Sequence, residues 1–511
     1  MNNFHERLRA LSPEVLKGIR RGIEKESLRV RSDGKLSTLP HPAALGSALT
    51  HPRITTDFSE SQLELITGVH AGVEACLEEL TQIHQVVFRN IGDEMLWCAS
   101  MPCGLPDDNA IPLGRFGTSN LGRAKTVYRM GLSHRYGRRM QTISGIHYNF
   151  SLPAVSNEEY FSLIRNFRRQ SWLLLYLFGA SPAVCSSFVA GREHDLEELN
   201  RGTLYRPWAT SLRMGRLGYQ SDAQASLAVS YNSLESYGAS LQAGLTRSYA
   251  PYEAIGIRNG GDADGAVDGY HQLATSLLQI ENEFYGTIRP KRTIRRGERP
   301  LHALRERGVE YVEVRLMDLD PFRPIGIGAE TIRFLDVFLL HCLLCDSPAD
   351  TPQEIAALAR NQHRAAARGR EPGLLLERHG QAVSLVEWGG QVLAECETIA
   401  VALDSAHGGS AYRDALSVAT AALRNPASVP SARVLDEMAQ HYDNTYVYFA
   451  RANSVQHRNT LRSLPLSAEV EVRFAHMAEE SLAEQRKMEA ADTLPFETYR
   501  QQYLSVERLQ V

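Results

Sequence analysis

The 511-residue chain has little cysteine, no long apolar run and no strong charge of either sign. Seven cysteines are an odd, sparse count without framework spacing, which points to a reducing compartment. A core of this size needs no disulfide staples. Formal net charge is −4, from 55 basic and 59 acidic residues, so nothing pulls the whole molecule toward nucleic acid or an anionic membrane. The opening stretch MNNFHERLRALSPEVL has no apolar signal core. The one long uncharged stretch, Trp172 to Gly191, is broken by Gly179-Ala-Ser-Pro182. A membrane span needs about 20 continuous apolar residues, so this stretch reads as buried core. Together these absences predict a soluble, cytoplasmic protein with neither nucleic acid nor membrane as a partner.

Several motifs are missing too. No Gly-x-x-x-x-Gly-Lys-Ser/Thr loop occurs, which argues against a P-loop ATPase. No Gly-x-Gly-x-x-Gly follows a strand, which removes the simple dinucleotide-binding fold. There is no His-Glu-x-x-His. Cys342-Leu-Leu-Cys345 sits in an apolar helical run and reads as two core cysteines. Asp262-Ala-Asp264-Gly265 lacks the closing Glu of a calcium loop and reads as a surface loop.

What is present is a set of alternating strands. Ile23–Val30, Leu63–Thr67, Thr142–Leu152 and Glu310–Leu319 read as strands, and Val73–Ile91 as an amphipathic helix with Val73, Leu77, Leu80, Ile83 and Val87 on its apolar stripe. From about residue 350 the chain reads as helix after helix. The expectation is an α+β fold of one elaborated catalytic domain over 1–511, with a sheet-containing core over 1–345 and a mainly helical region over 350–511 packed on it.

The strands have one chemical face each. Val312, Val314 and Leu316 oppose Tyr311, Glu313 and Arg315. Ile146, Tyr148, Phe150 and Leu152 oppose Gln141, His147, Asn149 and Ser151, and Leu63 and Leu65 oppose Gln62 and Glu64. Glu24 and Glu26 lie two apart and point the same way. A sheet with one solvated face would produce the same alternation. These faces, however, carry Glu, His, Gln and Arg rather than Lys or Thr. Carboxylates gathered with one imidazole are ligands expected for Mg²⁺ or Mn²⁺, and two carboxylates so placed repel unless a cation lies between them. Residues 289–296, Arg-Pro-Lys-Arg-Thr-Ile-Arg-Arg, are either a solvated basic loop or a polyphosphate clamp. Arg289, Lys291 and Arg292 are its candidate phosphate-binding side chains.

Taken in order, the stretches KGIRRGIEKESLRV, HPAALGSALTHPRITTDFSESQLELIT, YGRRMQTISGIHYNFSLP, LFGASPAVCSSF, YGTIRPKR, EYVEVRLMDLDPF and MEAADTLPFETY resemble the proteobacterial glutamate–cysteine ligase family, over essentially the whole chain. The resemblance is weakest between about 350 and 485 and around Arg258–Asp268. It implies a fold similar to glutamine synthetase and the guanidino kinases, in which an antiparallel sheet of about six strands curves into a funnel. It also implies ATP-dependent joining of L-glutamate to L-cysteine through a γ-glutamyl phosphate. By resemblance, Glu24, Glu26, Asp57, Glu64, His147 and Glu313 are the metal positions, Arg315 and Arg129 lie near the transferring phosphoryl group and the glutamate, and Arg315, Arg129 and Glu313 are the catalytic residues. Tyr128, Leu132, Gln141, Arg213, Tyr219 and Tyr285 then form the cysteine pocket. Feedback inhibition by glutathione is a further expectation. Two rivals have different chemistry: a ligase of the same fold with another amine acceptor, and a catalytically silent nucleotide or metal sensor.

Overall fold

The computed structural model describes residues 2–218, 222–258 and 269–510. Its twelve strands among these residues are β1 (Arg20–Val30), β2 (Ile54–Thr56), β3 (Gln62–Ile66), β4 (Met95–Leu96), β5 (Ile146–Ser151), β6 (Ala183–Cys185), β7 (Glu197–Asn200), β8 (Thr203–Tyr205), β9 (Ile288–Lys291), β10 (Tyr311–Met317), β11 (Leu375–Arg378) and β12 (Gln381–Ser384). The main sheet runs β2-β3-β1-β5-β10-β9, with β4 added to the end of β1. Every pairing in it is antiparallel. The chain is α+β, as its alternating strands and long helical tail predict.

The four expected strands are present with slightly shifted ends. Thr142–Leu152 is the exception in kind. Its strand begins only at Ile146, and Gln141 closes a short helix, Arg138–Gln141, rather than sharing a strand face with His147. Gly137, at a φ of 80°, turns the chain into that helix. Helix Val73–Asn90 buries Val73, Leu80, Ile83 and Val87 as its spacing predicts, and Cys76 joins them. The region beyond 350 is helical except for the β11–β12 hairpin, an interruption the composition did not signal.

Ile23, Leu63, Leu65, Ile146, Tyr148, Phe150, Val312 and Val314 are all buried in one apolar cluster. The helices Val73–Asn90, Asn157–Gln170 and Trp172–Phe178 cover that side of the sheet, and helix Ala329–Leu344 packs behind them. The same cluster takes in Leu403, Leu416 and Phe474 from the helical tail. The stretch from Trp172 is therefore core, and among the described residues no helix is long and apolar enough to cross a membrane. Cys342 is buried in the core and Cys345 half-buried beside it, both as free thiols. Cysteine usage departs from expectation elsewhere. Cys103 and Cys185 form a disulfide across 82 residues, with Cα atoms 5.3 Å apart. The pairing corrects the fully reduced reading. Its two halves are brought together by tertiary packing, which spacing could not reveal. Asp262 to Gly265 lie outside the described residues.

One buried ion pair ties the sheet to its helical backing. Arg21 on β1 donates to Asp336 Oδ2 at 2.8 Å, and Tyr148 on β5 donates to Asp336 Oδ1 at 2.5 Å. Arg21 and Asp336 are essentially without solvent contact. Removing one partner of a buried pair leaves an uncompensated charge, which costs about 3–5 kcal/mol. Asp336→Ala is therefore expected to lose stability of that size in denaturant unfolding. A loss below about 1 kcal/mol, the usual worth of an exposed pair, would contradict this.

Candidate active site

Antiparallel pairing brings the polar faces into one plane. Glu26 on β1 stands opposite Glu64 on β3, Glu24 opposite His147 on β5, and Glu313 on β10 opposite Arg289 on β9. All of these residues, with Asp57, line a cavity of about 460 Å³. His147 is its hub. Its Nδ1 lies 3.1 Å from Glu24 Oε2 and 3.9 Å from Glu313 Oε1, and its Nε2 lies 3.5 Å from Glu26 Oε1. Single donor atoms of Glu24, Glu64 and His147 lie within 4.8 Å of one another. Glu24 also accepts from Asn149 Nδ2 at 2.8 Å, and Glu26 accepts from the Gly145 amide at 2.7 Å.

The cluster is electrostatically divided. Burial opposes ionisation of Glu313, but Lys291 at 3.0 Å and Arg315 at 3.0 Å outweigh it and hold the carboxyl well below its ordinary range. For Glu24, burial is likewise outweighed, here by the His147 hydrogen bond. Glu26 is raised by burial and by Asp57. Glu64 is pushed well above its ordinary range by burial and by the charges of Glu24, Asp57 and Glu26. Carboxylates in this state are under-compensated by the protein alone. A set of oxygens with one imidazole nitrogen and no sulfur suits Mg²⁺ or Mn²⁺, so the residues fit such an ion.

The opposite wall is helix Asn120–Tyr136 together with the segment around β9. Leu121, Ala124, Lys125, Tyr128, Arg129 and Leu132 recur at helical spacing and all face the cavity. Arg129 donates to the Asp57 carbonyl, and its guanidinium lies 4.2 Å over the Phe116 ring. Burial, then Arg129, push the Lys125 amine down to about 8. Gln141 donates to the Tyr285 hydroxyl at 2.8 Å, and both line the cavity together with Leu132. Arg289 is anchored at 2.9 Å to the Asn282 carbonyl, and Arg295 and Arg296 reach the cavity rim.

The structure thus brings together Glu24, Glu26, Asp57, Glu64, His147, Glu313, Arg315, Arg129, Arg289, Lys291, Tyr128, Leu132, Gln141 and Tyr285. Three residues stand apart. Arg292 does not line the cavity; it lies 3.5 Å from Glu310 and donates to the Arg307 carbonyl at 2.8 Å. Arg213 lines an adjoining cavity of about 30 Å³, which shares Tyr285 and Arg315 with the large one. It donates to the Arg315 carbonyl at 2.9 Å and lies 3.6 Å from Asp318. Tyr219 lies outside the described residues.

Two further residues escaped the sequence reading. Lys125 was legible in principle, four residues before Arg129 on one helical face. Asp318 was not. It accepts from the Ala180 amide and from the Ser181 and Ser211 hydroxyls, partners far apart in sequence, and holds the turn that carries Arg213.

Residues 7–365 match the family model described as glutamate-cysteine ligase. A glutamate–cysteine ligase of Alcanivorax borkumensis is 47% identical, with 98% of each chain covered. One from Janthinobacterium sp. is also 47% identical, again over 98% of each. The crystal structure of a Francisella tularensis glutamate–cysteine ligase in complex with AMP superposes with a TM-score of 0.89 at 37% identity, covering 95% of this chain and 97% of that one. A bifunctional glutathione synthetase from Pasteurella multocida is similar at a TM-score of 0.71 and 25% identity, over 93% of this chain and 58% of its own. This chain belongs to the glutamate–cysteine ligase family.

Proposed function

We propose that the chain is an ATP-dependent ligase that forms γ-glutamylcysteine from L-glutamate and L-cysteine, the first step of glutathione biosynthesis. The observation that carries this reading is the carboxylate–imidazole cluster set against Arg315 and Lys291 in one cavity, in a chain 47% identical to a glutamate–cysteine ligase over nearly its whole length. The whole chain acts as one elaborated catalytic unit. The reading places the chain in the cytoplasm, with five of its seven cysteines as free thiols and the other two joined in the Cys103–Cys185 disulfide.

An amine does not attack a carboxylate usefully in water, because proton transfer gives an unreactive salt first. The reading therefore has the γ-carboxylate oxygen attack the terminal phosphorus of ATP, releasing ADP. The cysteine nitrogen then attacks the acyl carbon, and phosphate leaves. Glu24, Glu26, Asp57, Glu64, His147 and Glu313 would hold Mg²⁺ or Mn²⁺. Such ions neutralise charge on phosphate oxygens. Arg315 and Arg129 stabilise the phosphoryl oxygens in transit, with Arg289 and Lys291 alongside. Tyr128, Leu132, Gln141 and Tyr285 enclose the cysteine, and Arg213 holds its carboxylate from behind Tyr285. Tyr219 completes that pocket on the resemblance alone. Glutathione carries the same γ-glutamylcysteine unit, so it is expected to compete here.

The direct test is mass spectrometry after incubation with ATP, Mg²⁺, glutamate and cysteine. γ-Glutamylcysteine, ADP and phosphate are expected. A product with a different amine would favour another acceptor, and absence of ADP would favour a silent sensor. Glu313→Gln is expected to lower turnover steeply, by the few kcal/mol that loss of one preorganised electrostatic group at a reacting centre costs, with a cooperative unfolding transition retained. Near-normal turnover at saturating Mg²⁺ would mean the polar face is only a solvated surface.

Metal binding has its own readout. Mg²⁺ at about 100 times its Kd should stabilise the fold by about 2.7 kcal/mol, seen as a raised melting temperature. Glu24→Gln should shrink that rise. An equal rise in parent and variant would place the ion elsewhere.

Arg213→Ala removes a charge-assisted contact worth about 1.5–3 kcal/mol. If made in both ground and transition states, its loss mainly raises KM. The KM for cysteine is expected to rise about ten- to a hundredfold, with those for glutamate and ATP spared. Equal weakening of all three substrates would assign Arg213 a structural role through Asp318.

A further inference from the structure

Away from the cavity, one cluster of donor atoms takes no part in the ligase chemistry. His341 lies in the last turn of helix Ala329–Leu344, and Cys345 follows at its end. Glu395 reaches them from helix Leu385–His407. His341 Nε2 is 2.8 Å from Glu395 Oε2 and 3.3 Å from Cys345 Sγ. One donor atom from each residue lies within 4.8 Å of the other two. The imidazole is fully buried, Cys345 is half-buried and the Glu395 side chain is 54% exposed. The cluster therefore has a fixed floor and an open mouth. Helix Asn2–Ala10 lies over this end: Arg7 donates to the Leu344 and Cys345 carbonyls, and the Phe4 ring centroid is 6.0 Å from that of His341.

Hydrogen bonding alone serves this geometry poorly. A ring nitrogen offers either one proton or one lone pair, yet both a carboxylate and a thiol crowd His341 Nε2. A cation placed among the three would accept from all of them at once. Nitrogen, sulfur and oxygen together are the ligand set of a borderline-soft ion, in contrast to the sulfur-free cavity that suits Mg²⁺. We propose that His341, Cys345 and Glu395 form a second, independent metal site for a thiophilic divalent cation of the Zn²⁺ class, with its fourth position open to solvent. Binding forms a metal–sulfur bond, and the thiol proton leaves to solvent. The ion ties the end of one core helix to the neighbouring helix, so it stabilises the folded chain.

Titration of the metal-free protein with Co²⁺, in the presence of excess Mg²⁺, tests the site. One Co²⁺ per chain is expected to give a thiolate-to-metal charge-transfer band in the near ultraviolet, which Zn²⁺ removes by competition. Cys345→Ser should abolish the band. Glu395→Gln, a largely exposed position that leaves the core intact, should weaken binding at least about tenfold, since loss even of supporting groups around a metal costs that much. Cys396→Ser, which alters a buried thiol close enough to feel the charges of Cys345 and Glu395, should leave the band in place. Absence of the band, its survival in Cys345→Ser, or unchanged affinity in Glu395→Gln would overturn the proposal.

Discussion

Four glutamates face one imidazole across neighbouring strands, and the rest of the structure serves to keep them there. Glu24, Glu26, Glu64 and Glu313 repel one another in a partly water-excluded space. Their positions follow from sheet register. A slip of one residue in β1 would send Glu24 and Glu26 into the apolar core and Arg21 and Lys25 into the cavity. The back face prevents it. Arg21 is locked to Asp336, the Ile23 amide donates to the Thr67 hydroxyl, and Lys25 lies 2.9 Å from His84 Nε2 and 2.8 Å from Ser27 Oγ. Each of these anchors has the opposite parity to the glutamates, so each fixes the acidic face without touching it.

The division of charge within the cavity follows from which strands are neighbours. Glu313 pairs with basic side chains because β10 lies beside β9, which carries Arg289 and Lys291. Glu64 lies on the far side, between β1 and β2, where the charges of Glu24, Asp57 and Glu26 press on it. One end of the sheet therefore presents satisfied acid with cations, and the other presents acid in excess. On the proposed reading, the metal ligands run across both ends from Glu64 to Glu313 with His147 between them, and phosphate oxygens meet Arg315 and Lys291 at the first end and Arg129, held by the Asp57 carbonyl, at the second.

Much of this was legible because a strand has period two. Parity alone placed Glu24, Glu26, Glu64, His147 and Glu313 on polar faces, and antiparallel pairing made those faces one. Tyr128 and Leu132, which the resemblance names, are four residues apart and share one face of their helix. Gln141 reads as strand because the turn at Gly137 and the four-residue helix after it are too short to leave a periodic trace. The other features that failed to show are non-local. The Cys103–Cys185 link and the Asp318 network join segments that only the finished fold brings together. Arg292 looked like its neighbours in a basic run, yet it follows the last residue of β9 and pairs with Glu310 instead.

Sheet and helix contribute different kinds of precision to the cavity. Paired strands hold facing side chains about 5 Å apart across the backbone hydrogen bonds and about 7 Å apart along each strand, which suits a cluster whose members would otherwise separate. Helix Asn120–Tyr136 supplies the facing wall. There Lys125 and Arg129 form one stripe and Tyr128 and Leu132 an adjoining one, offset by the 3.6-residue turn. The basic stripe lies near the carboxylates, since Arg129 is held by the Asp57 carbonyl. The Tyr–Leu stripe leads toward Gln141 and Tyr285. On the proposed reading, a substitution on the second stripe therefore changes which amine is accepted while the carboxylate cage keeps its spacing, because the cage is held by the strand pairings and not by this helix.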